Sequence, residues 1–389
     1  MKYRVTFYCP DRHITYDGGR QPDQKGVGGG VNARIRLSQS LADRGHDVSM
    51  ICNCSRKEVH QQVLYIPLEE AREIDTDILI LSTSGDKQDL TSIFDLDVKT
   101  RLKILLIHGT AMPGGTLDIS PDYFYSLSNF VRDLIVTDWG IRDEHKIFVS
   151  YRGVIKKYFE PDPASPTRAR RDPFRLVYSG HPSKGRSTAL EILGNLRDLD
   201  HRYNLYVFGD ERLWGESKGR RVFTRNVRNF GTVPQSTLAR ELLTCSFGIF
   251  IQARLEPFGQ TLIEAMTAGC IPIASPVGSY RELVQHGRNG FLIDGPPDDP
   301  STRAHAARLI HELRQDAPLL DQIRRNAMQS TMDWQQIVQG WEQHWDISAG
   351  NIPAGQYLAV QACPACAGKV IHLADGYHCT NCGRYYKEL

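Results

Sequence analysis

Two glutamates, one lysine, one histidine, a pair of glycines and four late cysteines are the residues whose type and spacing could do chemistry. Glu256 and Glu264 are separated by seven residues, Pro257-Phe258-Gly259-Gln260-Thr261-Leu262-Ile263, and the segment is closed by Gly269. Pro257 and Gly259 force a loop after an apolar run, and a helix is predicted from near Thr261 to the glycine stop. Backbone N–H groups at such an entrance have no partner inside the helix and suit a diphosphate. Glu264, a turn into that helix, could accept hydrogen bonds from a ribose. Glu256, ahead of the loop, could meet sugar hydroxyls or a developing positive charge. The competing reading of Glu264 is an ordinary first-turn glutamate favoured by the helix dipole.

The other candidates sit at predicted strand ends, which is where open α/β sheets bind ligands. His108 ends the run Ile104 to Ile107 and is followed by Gly109. Lys184 lies in Ser179-Gly180-His181-Pro182-Ser183-Lys184-Gly185, after a short apolar run. Gly29 and Gly30, within Gly28-Gly29-Gly30, open a helix after the first strand; glycine there lets backbone approach oxygen atoms, although a flexible loop is the plain alternative. Cys363-Pro364-Ala365-Cys366 and Cys379-Thr380-Asn381-Cys382 are separated by twelve residues. Four thiolates in two such knuckles match a closed tetrahedral Zn²⁺ site of structural type, with disulfides as the alternative. His378 is adjacent, but the four cysteines already complete the set.

The elements that must position these residues alternate. A strand over Arg4 to Tyr8, a helix from about Val31 to Arg44, a strand over Val48 to Cys52, and the compact runs Ile78–Leu81 and Ile104–Ile107 predict one doubly wound domain. A proline- and arginine-rich stretch between Tyr158 and Pro173 reads as a linker. A second α/β series follows: Leu176 to Ser179, a helix near Thr188 to Asp198, Leu205 to Phe208, Phe247 to Ile251 and Ile271 to Ala274. A late helix carries Trp334, Ile337, Trp341 and Trp345 on one face, which reads as packing. The domain limits predicted are 1–157, linker 158–172, 173–330, a helix at 331–348 packing back on the first domain, and a ribbon at 361–389.

The 389 residues include 41% hydrophobic side chains, enough for real cores, and 47 basic against 45 acidic residues give a net charge of +2. That balance gives no reason to expect nucleic acid as a partner. No apolar run approaches the ~20 residues of a membrane-spanning helix, which leaves room for peripheral membrane contact, and nothing reads as a secretory signal. Nine cysteines with metal-type spacing in four of them point to a reducing cytoplasm. The Asp-x-Asp strings at Asp75–Asp77, Asp95–Asp97 and Asp198–Asp200 read as surface.

The stretch Glu256 to Ile293, with Ala265-Met266, Gly269-Cys270-Ile271-Pro272, Arg281-Glu282-Leu283 and Asn289-Gly290-Phe291, resembles glycosyltransferase family 4, and the likeness extends more weakly over residues 1 to about 345. The resemblance implies two Rossmann-like domains facing a cleft (GT-B), with the C-terminal one holding a nucleotide-diphosphate sugar and the N-terminal one the acceptor. It implies that Glu256 contacts the donor sugar and Glu264 the ribose, and that the amides of Phe258, Gly259, Gln260 and Thr261 hold sugar and phosphate. Gly29 and Gly30 would approach the diphosphate, His108 the donor sugar, and Lys184 would neutralise the leaving group. The family usually has arginine directly after the glycine, where this chain has His181, and a longer loop before the lysine; Arg186 is the candidate second positive charge. Ala253 stands where serine is common. The expected activity is retaining transfer of a hexose from a UDP- or GDP-sugar to a small-molecule, glycan or lipid-linked acceptor, without a catalytic metal. A GT-B epimerase or phosphorylase is the alternative within the fold. A protein- or nucleic-acid-binding role for the ribbon is the alternative outside it.

Overall fold

A computed structural model describes residues 1–84, 88–160, 171–214, 225–348, 370–373, 376–379 and 385–386. The chain divides into two units. The first comprises Met1–Pro22, Gly28–Gly153 and Trp334–Leu389; the second comprises Asp23–Val27 and Val154–Asp333.

The first unit holds β1 (Arg4–Cys9), β2 (Asp47–Cys52), β3 (Glu58–His60), β4 (Val63–Pro67), β5 (Glu73–Ser82), β6 (Asp97–Leu106), β7 (Tyr123–Ser126) and β8 (Ile147–Val149). They form one sheet in the order β3-β4-β2-β1-β5-β6-β7-β8, parallel throughout except for β3 against β4. The order reverses between β1 and β5, a switch point at which the loops beyond the strands diverge and leave a crevice. Strands β5 and β6 are longer than their apolar runs. Their leading halves alternate exposed charge with half-buried or buried residues, while Ile78–Leu81 and Ile104–Leu106 are wholly buried. Asp75 and Asp77 lie in that leading half, with Arg4 Nη2 at 3.1 and 3.6 Å, at the opposite end of β5 from its carboxyl end.

The helix after β1 runs Gly29–Asp43, and every residue from Val31 to Ala42 is buried, polar ones included. A helix covered on all sides is normally apolar; here several polar side chains are bonded instead, as in Arg36 Nη1 to Gln39 Oε1 (3.0 Å) and Ser38 Oγ to Ile35 O (2.9 Å). The helix Trp334–Ser348 also belongs to this unit. Trp341 Nε1 donates to Ser150 Oγ (2.6 Å), and Trp345 packs edge-on against Tyr3 and His46.

The second unit has β9 (Arg175–Ser179), β10 (Asn204–Phe208), β11 (Val227–Gly231), β12 (Phe247–Phe250), β13 (Ile271–Ala274) and β14 (Phe291–Leu292). Its sheet is fully parallel in the order β11-β10-β9-β12-β13-β14, the arrangement of a dinucleotide-binding fold with its switch point between β9 and β12. Leu176, Val207, Ile249 and Ile273 from the sheet pack with Ile192 and Ile310 from flanking helices. Asp172, within the expected linker, is already bonded here: its amide donates to Thr244 O (2.9 Å), and the boundary between the units falls at Gly153 and Val154.

In the tail, Val370–Leu373, Gly376–Cys379 and Tyr385–Tyr386 form an antiparallel sheet, Cys379 pairing in register with Val370. Cys363, Cys366 and Cys382 lie outside the described residues. Among the described residues, no helix is long and apolar enough to cross a membrane.

Candidate active site

In the second unit the switch point brings Lys184 and Glu256 together. Strand β9 ends at Ser179, and the following turn is tight: the Lys184 amide donates to His181 O (2.9 Å), and Tyr178 Oη donates to the same carbonyl (2.6 Å). Gly185 then adopts φ +95°, and a Cβ there would stand 2.1 Å from Ile251 O, so only glycine lets this turn close against the end of β12. The result is an ion pair, Lys184 Nζ to Glu256 Oε2, at 2.6 Å.

Glu256 is fixed from its own side as well. Its Oε1 accepts from the Gly259 amide (3.3 Å), and its carbonyl accepts from the Ser279 amide (2.9 Å). Gly278 lies so close that a Cβ would meet that carbonyl at 2.3 Å. Burial pushes the Glu256 carboxyl pKa up, but the Lys184 charge and the surrounding hydrogen bonds overcome this and hold it below its usual value.

Gly259 turns the chain into the helix Gln260–Thr267 through a left-handed conformation at φ +82°. Phe258 and Gln260 are buried and Thr261 is half-buried. Glu264 is buried, and its Oε1 accepts from Gln235 Nε2 (3.1 Å) and Gln260 Nε2 (3.4 Å). Of the further cations considered, Arg186 pairs with Glu211 at 3.4 Å. His181 has its Nδ1 against Ser183 Oγ (2.8 Å), and burial, opposed by Glu211, lowers its pKa.

In the first unit, Gly29 and Gly30 begin their helix directly after the loop beyond β1. A Cβ on Gly30 would lie 3.2 Å from Ser84 Cβ and 3.8 Å from His108 Cβ, so this helix start is seated against both. His108 follows β6 and is half-buried, with Nδ1 2.6 Å from Arg152 Nη2. Burial first, then the charges of Arg152 and Arg34, hold the His108 pKa well below its ordinary value of 6.5. Among the described residues, no group of three or more His, Cys, Asp or Glu is arranged to hold a metal ion.

With both sets of residues placed, comparison with known proteins shows what the second unit is similar to. The family described as "Glycosyl transferases group 1" matches residues 167–330. The chain is 28% identical over 214 residues to sucrose synthase of Nitrosomonas europaea, covering 51% of this chain and 25% of that protein. It is 33% identical over 100 residues to glycogen synthase of Bordetella parapertussis, covering 23% of this chain and 19% of that protein. The chain thus spans a quarter or less of the length of these two relatives.

Solved structures extend the likeness to both units. A glycosyltransferase from Rickettsia africae aligns with TM-score 0.63 at 15% identity, covering 90% of this chain and all of that one. Sucrose-phosphate synthase from Thermosynechococcus elongatus aligns with TM-score 0.65 at 17% identity and the same coverage. Anabaena HepE, crystallised in complex with UDP-glucose, aligns with TM-score 0.61 at 16% identity, covering 90% of this chain and all of that one. At these identities the likeness is one of fold, and that fold is GT-B.

Within the second unit, sequence reasoning missed Gln235, which holds Glu264, and the Gly278–Ser279 turn that fixes Glu256. In the other unit it missed Arg152 and a buried pair beside Gly30. Arg34 Nη1 donates to Asp11 Oδ2, Arg34 Nη2 to Ser84 Oγ (2.6 Å), and Thr83 Oγ1 to Asp11 Oδ1 (2.6 Å). Neither Arg34 nor Asp11 exposes any side-chain surface.

Proposed function

We propose that this chain is a retaining glycosyltransferase that moves a hexose-type sugar from a UDP- or GDP-sugar to a small-molecule, glycan or lipid-linked acceptor. The observation that carries this reading is the Lys184–Glu256 pair at the switch point of the group 1 domain. A cation and a carboxylate meet there beside a helix entrance, which is what a sugar diphosphate requires. Lys184 leaves Glu256 for the diphosphate and neutralises the charge that builds on it as the glycosidic bond breaks. Glu256, kept ionised, then faces the sugar and the positive charge developing at its anomeric carbon. The amides of Phe258 to Thr261 hold sugar and phosphate, Glu264 accepts from the ribose, Gly29 and Gly30 approach the diphosphate, and His108 bonds the sugar. The departing diphosphate takes the acceptor proton on the same face, so configuration is kept without a catalytic metal. The sucrose and glycogen synthase relatives and the UDP-glucose held by HepE support a nucleotide sugar as donor.

The test is the product. Nuclear magnetic resonance of its anomeric proton should give an α-linkage from an α-donor; a β-linkage overturns the retaining mechanism. Nucleoside diphosphate release that requires an acceptor separates transfer from epimerisation. Glu264→Ala should weaken nucleoside diphosphate binding about tenfold, roughly one lost hydrogen bond to a charged group.

The cysteine spacing supports a structural Zn²⁺ held by Cys363, Cys366, Cys379 and Cys382 in a ribbon that steadies the enzyme or recruits a protein partner. The antiparallel register that ends a strand at Cys379 is compatible with such a ribbon. Elemental analysis of the reduced protein should find one zinc per chain, lost in Cys379→Ser. Five buried free cysteines fit a cytoplasmic setting.

A further inference from the structure

We propose that Arg152 is a positioning residue that fixes His108 as its neutral Nε2–H tautomer, so that His108 meets the bound sugar as a hydrogen-bond donor and never as a proton acceptor. The role toward sugar rests on the glycosyltransferase reading above; the tautomer does not. The argument begins with what an arginine can do. A guanidinium has only N–H donors and stays charged, so the 2.6 Å contact between Arg152 Nη2 and His108 Nδ1 requires Nδ1 to accept. A neutral imidazole that accepts at Nδ1 carries its proton on Nε2. A second proton would turn Nδ1 into a donor facing a donor, and would set two positive charges against each other.

The surroundings enforce the same state. Arg152 is itself buried, 7% exposed, at the end of the segment beyond β8. Arg34 also opposes a positive imidazole, and the Asp11 carboxylate that faces Arg34 is taken up by Arg34, Thr83 and the Ser84 amide. Among the described residues, no carboxylate bonds to His108 to draw a proton onto the ring. Gly30 and Ser84 close the neighbouring side. His108 Nε2 is shielded from water and has no hydrogen-bond partner. A buried N–H left without an acceptor is costly, and an oxygen of a sugar supplies one. General-base catalysis by this histidine is excluded by the same geometry, because Nδ1 is taken by Arg152 and Nε2 already holds the proton.

The test needs no substrate. The full chain labelled with ¹⁵N-histidine, with His108→Gln used to assign the resonance, reports which ring nitrogen is protonated. Wild type should show Nε2 protonated and Nδ1 bare, with no titration of His108 between about pH 8 and 5. Arg152→Met removes the donor and the charge, so His108 should bind a proton about tenfold more tightly and lose its single tautomer. Arg152→Lys keeps both features and should restore the wild-type spectrum. A proton on Nδ1 in wild type, an imidazolium at pH 7, or an unchanged titration in Arg152→Met would overturn the proposal. Should Arg152→Met fail to fold, the wild-type and Arg152→Lys spectra decide it. Failure of the transferase reading is told apart by its own readout, acceptor-dependent release of nucleoside diphosphate, which the tautomer measurement does not touch.

Discussion

Each unit places an ion pair beyond the carboxyl ends of its strands, and the two pairs are built oppositely. Asp11 and Arg34 expose no side-chain surface, and every arm of the arginine fork has a partner: Asp11, Ser84, and the carbonyls of Gly30 and Ser82. Lys184 is 26% exposed and Glu256 10%, with one short contact between them. A pair closed to water on all sides has no valence left for a ligand, and it serves as a frame that sets the height of Gly30 and Ser84 beside His108. A pair with one open side can exchange its partner. Lys184 and Glu256 neutralise each other, and under the proposed function a diphosphate and a sugar would take their places, so that neither charge is stranded while the site waits. Identical chemistry in one fold is therefore scaffold or machinery according to how many of its hydrogen bonds are already committed.

The sharpest way to break this contrast is to remove the frame. Arg34→Met strands the Asp11 carboxylate in a buried site and should cost about 3–5 kcal/mol of stability, read as a lower urea midpoint. A loss below about 1 kcal/mol would mean the pair is not a frame. Lys184→Ala should do the reverse, lowering turnover about 10²-fold while the fold persists, as for loss of one electrostatic stabiliser. A large drop in the unfolding midpoint with turnover intact would exchange the roles of the two pairs. The smallest expected effect is in pH. Because the Glu256 carboxyl pKa is held below its usual 4.5, it contributes stability above that value, and the contribution is lost as pH falls through the lower folded value. The difference in urea midpoint between wild type and Glu256→Gln should therefore shrink as pH is lowered below about 4.5. A difference that stays constant to pH 3 would show that Lys184 does not favour the ionised form.

Much of this was readable in the chain, and the limits are physical. The apolar cores of β5 and β6 announce themselves because both faces are buried. Their leading halves do not, since Asp75, Asp77, Lys99 and Arg101 alternate on a strand that is covered on one side at most. The Pro257–Gly259 loop and the helix after it follow from local rules, and the helix begins at Gln260, one residue ahead of the expected Thr261. The meeting of Lys184 with Glu256 is a different matter. It depends on β9 and β12 being neighbours across the switch point, Phe247 pairing with Leu176, although 72 positions separate Lys184 from Glu256. Arg34 was hidden because a charged residue on a helix is ordinarily solvated, and only tertiary structure reveals that the whole turn around it is covered. Arg152 offered no pattern at all; its meaning comes from His108, 44 positions away.

The path of the backbone has a consequence for modularity. Asp23–Val27 groups with the second unit although Pro22 and Gly28 belong to the first, and Trp334–Ser348 returns to the first after the second is complete. Tyr158 Oη donates to Asp23 Oδ1 (2.8 Å), and a Cβ on Gly26 would strike Val233 O at 2.1 Å, so the short excursion is seated rather than passing. The polypeptide therefore changes unit at four places. A hybrid enzyme spliced once after Gly153 would inherit an N-terminal half without its tryptophan helix and a C-terminal half without its five-residue insert. Recombination between relatives of this architecture has to respect all four seams, which favours inheritance of the two units together over the shuffling of either alone.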